Sequence, residues 1–199
     1  MPELKYLKDK KIVFRDEPFV MDVIYSMEKG NASIQLYDIF PGVQLMVTDF
    51  QSDTCYQSGM EQDVISIEHC LKGRFECMFD NRNCVYMGPG DVAINNVLHC
   101  PIASSFPLNY YVGATIILYP QICKASSELK AFGIDIEILT NKYFLNERCM
   151  LFRRKEEIEH VYRELYASLE KPDLPFLRLK ILELLYHFQT RQTVLEENH

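Results

Sequence analysis

Ser66-Ile67-Glu68-His69-Cys70-Leu71-Lys72-Gly73-Arg74-Phe75, followed by Met87-Gly88-Pro89-Gly90-Asp91-Val92-Ala93-Ile94-Asn95-Asn96, decides how this chain reads. Successive side chains of an extended backbone point to opposite faces, so polarity that changes with a period of two marks a strand. Lys72-Gly73 predicts a tight hairpin turn into a second strand, and Gly88-Pro89-Gly90-Asp91 predicts a corner that opens a third. Working outward, the same rhythm predicts strands over 33–40, 43–50, 63–71, 74–79, 84–87, 92–95 and 110–119. So many short strands leave unpaired edges unless the sheet closes, so a small β-barrel is expected, with room inside for a ligand.

From residue 120 onward the pattern becomes helical. Helices are expected over 125–132, stopped by Gly133, and over 134–143, followed by a returning strand over 149–153. Ile158, Val161, Tyr162, Leu165, Tyr166 and Leu169 make one face of an amphipathic helix over 155–169. Asp173 is placed to cap a last helix over 174–190, with Pro175 tolerated in its first turn. That helix is apolar on two sides. Leu177, Ile181, Leu184, Leu185 and Phe188 form one stripe, and Leu179, Leu182 and Tyr186 form another. A helix lying on a single domain needs one stripe. The second either wedges against the preceding helix or meets its copy in another subunit. Leu177, Leu179, Ile181, Leu182, Leu185 and Tyr186 are the candidate dimer residues, and the sequence leaves open which face they form. The expected fold is therefore mostly β with C-terminal helices (α+β). Residues 1–119 would form the barrel, with the N-terminal stretch as an arm or first strand, and 120–199 the helical, dimerising region.

Composition narrows the function. With 199 residues and a hydrophobic share of 48%, a real core can form. A net charge of −7 without a basic cluster argues against holding nucleic acid electrostatically, and the densest basic run, Arg153-Arg154-Lys155, is followed at once by Glu156-Glu157. The seven cysteines are odd in number and contain no CxxC, and no signal peptide precedes them, so reduced thiols and a cytoplasmic location are expected. No apolar run approaches the ~18 residues a membrane helix needs, so no membrane partner is expected.

The motifs also occur in a telling order. After the Lys72-Gly73 turn and Gly88–Asn95 come Phe106-Pro-Leu-Asn-Tyr-Tyr-Val-Gly113, Ala125-Ser-Ser-Glu-Leu-Lys-Ala-Phe-Gly133, Ile158–Tyr166 and Leu179–Leu185. This succession, over nearly the whole chain, resembles the N-terminal effector-binding and dimerisation domain of AraC-family transcription regulators. The resemblance implies a cupin-like barrel or jelly roll, a small-molecule effector inside it, and a homodimer built by the C-terminal helices. Family members continue into a helix-turn-helix DNA-binding module, whereas this chain stops at His199. It is expected to be a piece of a longer regulator or a stand-alone sensor, touching DNA only through the missing domain. No recognition helix with basic flanks can be drawn.

Within the barrel, Ser66, Glu68 and Cys70 share one strand face, and Ile65, Ile67, His69 and Leu71 the other. The resemblance turns the Ser66 face inward. Glu68 then needs a rim Lys or Arg, or a polar ligand, because a buried unpaired charge is costly. The resemblance also makes the strand over 110–119 a supplier of pocket residues, which points to Tyr111 and Thr115, with Gly113 leaving space between them. Asp49, Cys70 and His99 complete the ligand-binding candidates. Metal-bearing cupins use a His pair, a Glu and a distant His. Here Ser66 stands at the glutamate position and Met60-Glu61-Gln62 upstream supplies no His pair, so neither metal nor cofactor is expected. Cys70 beside His69 or His99 lacks a placed third group, so no catalytic residue and no enzyme are expected. The reading is a ligand-sensing, dimerising domain of a transcription regulator. The alternatives are a cupin-like enzyme acting on a small metabolite and a ligand-free interaction scaffold.

Overall fold

A computed structural model describes residues 10–14, 20–27, 30–53, 64–78, 84–96, 103–144, 149–153 and 156–191. The strands are β1 (Lys10–Phe14), β2 (Val20–Met27), β3 (Gly30–Phe40), β4 (Val43–Gln51), β5 (Ile65–Gly73), β6 (Phe75–Met78), β7 (Cys84–Met87), β8 (Val92–Asn96), β9 (Ala103–Ser105), β10 (Tyr111–Leu118) and β11 (Met150–Phe152). The helices are α1 (Pro120–Cys123), α2 (Ser127–Ala131), α3 (Ile136–Leu139), α4 (Glu156–Ser168) and α5 (Leu174–Thr190), with a π-helical turn at Thr140–Phe144 between α3 and β11. Eight strands pair in the order β1-β2-β3-β4-β10-β5-β8-β11, and three more in the order β7-β6-β9. Every described pairing is antiparallel. The result is a β-rich α+β fold. The two sheets face one another, and no closed barrel forms among the described strands.

The turn at Lys72-Gly73 differs from expectation. It carries the chain from the large sheet to the small one, because β5 pairs with β10 and β8 while β6 pairs with β7 and β9. Gly73 has φ +85°, and a Cβ there would lie 2.2 Å from the Tyr110 carbonyl oxygen, so only glycine permits the crossing. The Gly88–Asp91 corner does form as a turn. Asp91 Oδ2 accepts from the Gly88 amide at 2.9 Å and from Arg153 Nη1 at 2.7 Å. The Gly90 amide donates to the Cys70 carbonyl at 2.8 Å, and the Cys70 amide to the Asp91 carbonyl at 3.0 Å, which stitches the corner onto β5.

Strand β5 separates two cores. Ile65 and Ile67 join Val43, Leu45, Val92, Ile94, Ile116 and Leu118 under the helices. On the other face Cys70 joins Phe50, Ala93 and Tyr111 against Met87 and Phe106 from the small-sheet side. Helix α4 buries Ile158, Val161, Tyr162 and Leu165, the stripe its periodicity predicts. Helix α5 begins as expected, with Asp173 accepting from the Phe176 amide at 3.3 Å. Its end is held by Lys142 Nζ, which donates to the carbonyls of Phe188, Gln189 and Arg191, and by the Tyr143 hydroxyl, which donates to Phe188 O at 2.8 Å.

The dimer face must be corrected. Leu177, Ile181 and Leu185 are fully buried, and Leu182 is only 7% exposed, so these four hold α5 to its own subunit. Leu182 belongs to the main core, and Arg178, one turn before it, donates its Nε–H to the Ile39 carbonyl at the end of β3 at 2.8 Å. Leu179 and Tyr186 remain, exposed by 56% and 53%.

His69 joins β5 to α4. Its ring stacks on Tyr162 with centroids 3.8 Å apart, and Nδ1 meets the Tyr166 hydroxyl at 3.0 Å. Burial holds its pKa down to about 4, although Asp91 and Glu159 pull the other way. A group with a lowered folded pKa contributes its stability above the unfolded value and loses it on the way down to the folded one. Between pH 6.5 and about 4 the neutral ring therefore forfeits about 3 kcal/mol. Urea unfolding of His69→Phe, compared with the parent chain, should show a shallower loss of stability across that window. Parallel curves would refute the assignment.

Candidate functional site

The space between the sheets is lined in cross-strand rows. Gly113 pairs with Cys70 on β5 and Thr48 on β4, and Thr115 with Glu68 and Met46. Glu68 in turn lies opposite Ala93, and Ser66 opposite Asn95. Directly paired residues share a sheet face, so Ser66, Glu68, Ala93, Asn95 and Thr115 point the same way, towards β6 and β9. From those strands Cys77 and Ser104 approach, with Sγ and Oγ 3.5 Å apart.

One end of this space is filled. Phe106 lies flat on Tyr111, with centroids 4.9 Å apart and ring planes at 11°. Phe50 and Phe75 pack against Phe106 at 4.9 and 5.5 Å. Tyr111 also folds over Gly113, where an added Cβ would meet its hydroxyl at 2.5 Å. The gap expected beside Gly113 is thus occupied by a phenol from the same strand.

The other end is polar. Ser66 Oγ donates to Glu68 Oε1 at 3.3 Å. Burial raises the Glu68 pKa above the ordinary carboxylate value, and the Ser66 bond works against that rise. Among the described residues no Lys or Arg reaches Glu68, so the rim cation that sequence allowed is absent there. Cys77 and Cys149 flank it. Burial pushes both thiols up to about 12, and the Glu68 charge adds to the effect. Glu68 is half-buried between the sheets.

The structure brings Glu68 and Thr115 together, with Cys70 one pleat away. Cys70 is fully buried, with its thiol raised to about 12 and directed at the carbonyls of Lys72 and Gly73. Tyr111 belongs to the aromatic plug. Asp49 departs from expectation. It has the opposite parity to Thr48 and Phe50, is exposed, and accepts from Gln51 Nε2 at 2.7 Å. It therefore faces away from the inter-sheet space. His99 lies outside the described residues. Sequence reasoning passed over Asn95, Cys77, Ser104 and Cys149. Asn95 was legible, being a polar residue in phase with the small, inward Ala93. The other three depended on which strands of the small sheet lie opposite.

Among the described residues, no group of three or more His, Cys, Asp or Glu side chains could hold a metal ion. No described helix is long and apolar enough to cross a membrane.

No protein-family model and no curated protein matches the chain. Among solved structures it is similar to ToxT from Vibrio cholerae O395, at 12% identity over 74% of this chain and 54% of that one, with a TM-score of 0.45. It is similar to the AraC-like transcriptional activator CuxR at 9% identity, over 89% of this chain and 61% of that one, with a TM-score of 0.35. A glyoxylate-induced protein from Pseudomonas aeruginosa is similar at 7% identity, over 72% of this chain and 52% of that one, with a TM-score of 0.40. The chain spans little more than half the length of the structures it matches first.

Gly113→Ala tests the plugged end. The new methyl would meet the Tyr111 hydroxyl and lie 2.7 Å from the His69 carbonyl, which cannot move without shifting β5. A loss of about 1–3 kcal/mol in urea unfolding is expected, and Tyr111→Leu should rescue it only in part. Complete rescue would show that the backbone contact is unimportant.

Proposed function

We propose that this chain is the ligand-sensing and dimerising domain of an AraC-type transcription regulator. It binds a small effector between its two sheets, without catalysis, and acts on DNA through a separate helix-turn-helix module. The observation that carries the reading is a carboxylate between the sheets that meets no described protein cation and lies beside a buried amide oxygen without a partner, Asn95 Oδ1, among hydroxyls and thiols. Ligand pockets place a few polar groups on an otherwise apolar wall in this way. The order of motifs along the chain supports the family. In this reading the two-sheet frame is a cupin-like jelly roll, and the protein works in the cytoplasm.

Regulation requires that the effector bind two arrangements of the domain with different affinity. The site and the helices are joined for that purpose. Glu68 and His69 are neighbours on β5, and His69 is stacked on α4, which packs along α5. Helix α5 offers Leu179 and Tyr186 to a second copy. In a two-fold dimer each residue is buried twice. Burying both would contribute about 3–6 kcal/mol per subunit before association costs, so neighbouring contacts must add to them.

Two measurements test this reading. A thermal-shift screen of small metabolites should yield a stabilising compound whose effect disappears in Ala93→Phe, which fills the space beside Glu68. The absence of any hit, or a hit indifferent to this change in a folded variant, would refute the site. Leu179→Glu combined with Tyr186→Glu should convert a dimer into a folded monomer in sedimentation. An unchanged mass would place the interface elsewhere.

A further inference from the structure

We infer that the effector is an organic cation, a protonated amine, whose N–H groups are received by Glu68 and Asn95. The inference rests on the reading of the inter-sheet space as an effector site.

The argument is a count of donors and acceptors. Ser66 and Asn95 are paired on β5 and β8, and Glu68 follows two residues along β5, so all three line one patch of one face. Asn95 Oδ1 is buried and accepts no hydrogen bond. Glu68 accepts one, from Ser66 Oγ at 3.3 Å, which is long for a hydroxyl donating to a carboxylate. The same hydroxyl lies 3.5 Å from the Asn95 carbonyl, so it is shared between two weak partners. Ionised Glu68 offers about four lone-pair sites and an amide oxygen two. The neighbouring Cys77 and Cys149 thiols are weak donors, and Cys77 is already engaged with Ser104. The donors of the patch, the Asn95 amide and the Ser66 and Thr115 hydroxyls, are all neutral, while the Asn95 oxygen has no partner and Glu68 has one long one. Buried acceptors are rarely left unpaired, and a buried carboxylate most needs a positive charge. A carboxylate or phosphate ligand would add acceptors and repulsion. An alcohol supplies one donor and no charge. An ammonium group supplies up to three donors and the compensating charge, and its apolar body would extend along Ala93, Thr115 and the edge of the aromatic plug. Glu68 is a binding residue in this scheme, and Asn95 sets specificity beside it.

The test uses three matched series of probes on the whole chain: primary amines from methylamine through phenethylamine to putrescine, the corresponding alcohols, and the corresponding carboxylates. Binding is read by calorimetry at pH 7.5. At least one amine should bind, with its alcohol and carboxylate counterparts weaker or silent. Glu68→Gln should weaken that amine roughly ten- to hundredfold, and Asn95→Ala roughly two- to tenfold. Both variants are to be checked by circular dichroism, and Glu68→Met serves if Glu68→Gln does not fold. Alcohols or carboxylates binding best, or amine binding undiminished in Glu68→Gln, would overturn the amine assignment and leave the effector site standing. Silence from all three series, together with the failure of the broader metabolite screen, would overturn both.

Discussion

Strand β5 is buried on both faces, and the rest of the molecule is arranged around that fact. Its odd positions, Ile65, Ile67 and His69, pack beneath the helices, while its even positions, Ser66, Glu68 and Cys70, face the small sheet. A slip of one residue would carry Glu68 into the helical core and expose two isoleucines to the polar patch, so the register is strongly specified. Burial of Ile65 and Ile67 contributes about 1.5–3 kcal/mol each. The Gly90 and Cys70 amide bonds at the corner then fix where along β5 the neighbouring turn must lie.

Double burial also explains why polar side chains on β5 are each handled differently. On the helix side His69 is kept neutral and given a tyrosine hydroxyl on one edge and a tyrosine ring on its face. On the other side Glu68 has a single serine, at 3.3 Å. The first arrangement is a satisfied structural joint, and the second is under-satisfied. The small sheet reinforces the division. Its aromatic residues close one end against Tyr111, and its thiols and hydroxyls approach Glu68 at the other.

Much of this was written in local patterns. The period of β5, the cap at Asp173, the stripe of α4 and the Gly88–Asp91 corner each depend on residues close in sequence. They could be read without knowing any tertiary partner. What could not be read was pairing at a distance. Lys72-Gly73 looks the same whether the chain turns back on its own strand or crosses to another sheet. The difference lies in the Tyr110 carbonyl, which is far away in sequence. Leu182 looks as exposed as Leu179 until α5 is seen seated in the main core. That Glu68 and Thr115 share one face of the inter-sheet space was legible because strand parity and the family resemblance agreed. Asp49 was misplaced because parity along β4 was not carried through. Cys77, Ser104 and Cys149 came from elements whose facing partners no local pattern reveals.

The alternation along β5 has an evolutionary consequence. Drift at positions 66, 68 and 70 alters the lining of the inter-sheet space while leaving the helix-bearing surface untouched. Drift at 65, 67 and 69 alters how firmly the helices are mounted and leaves the lining as it was. Surface chemistry and mechanical integrity are thus inherited through interleaved but separate residues of one segment, so under the proposed reading a lineage could change its effector without rebuilding the frame.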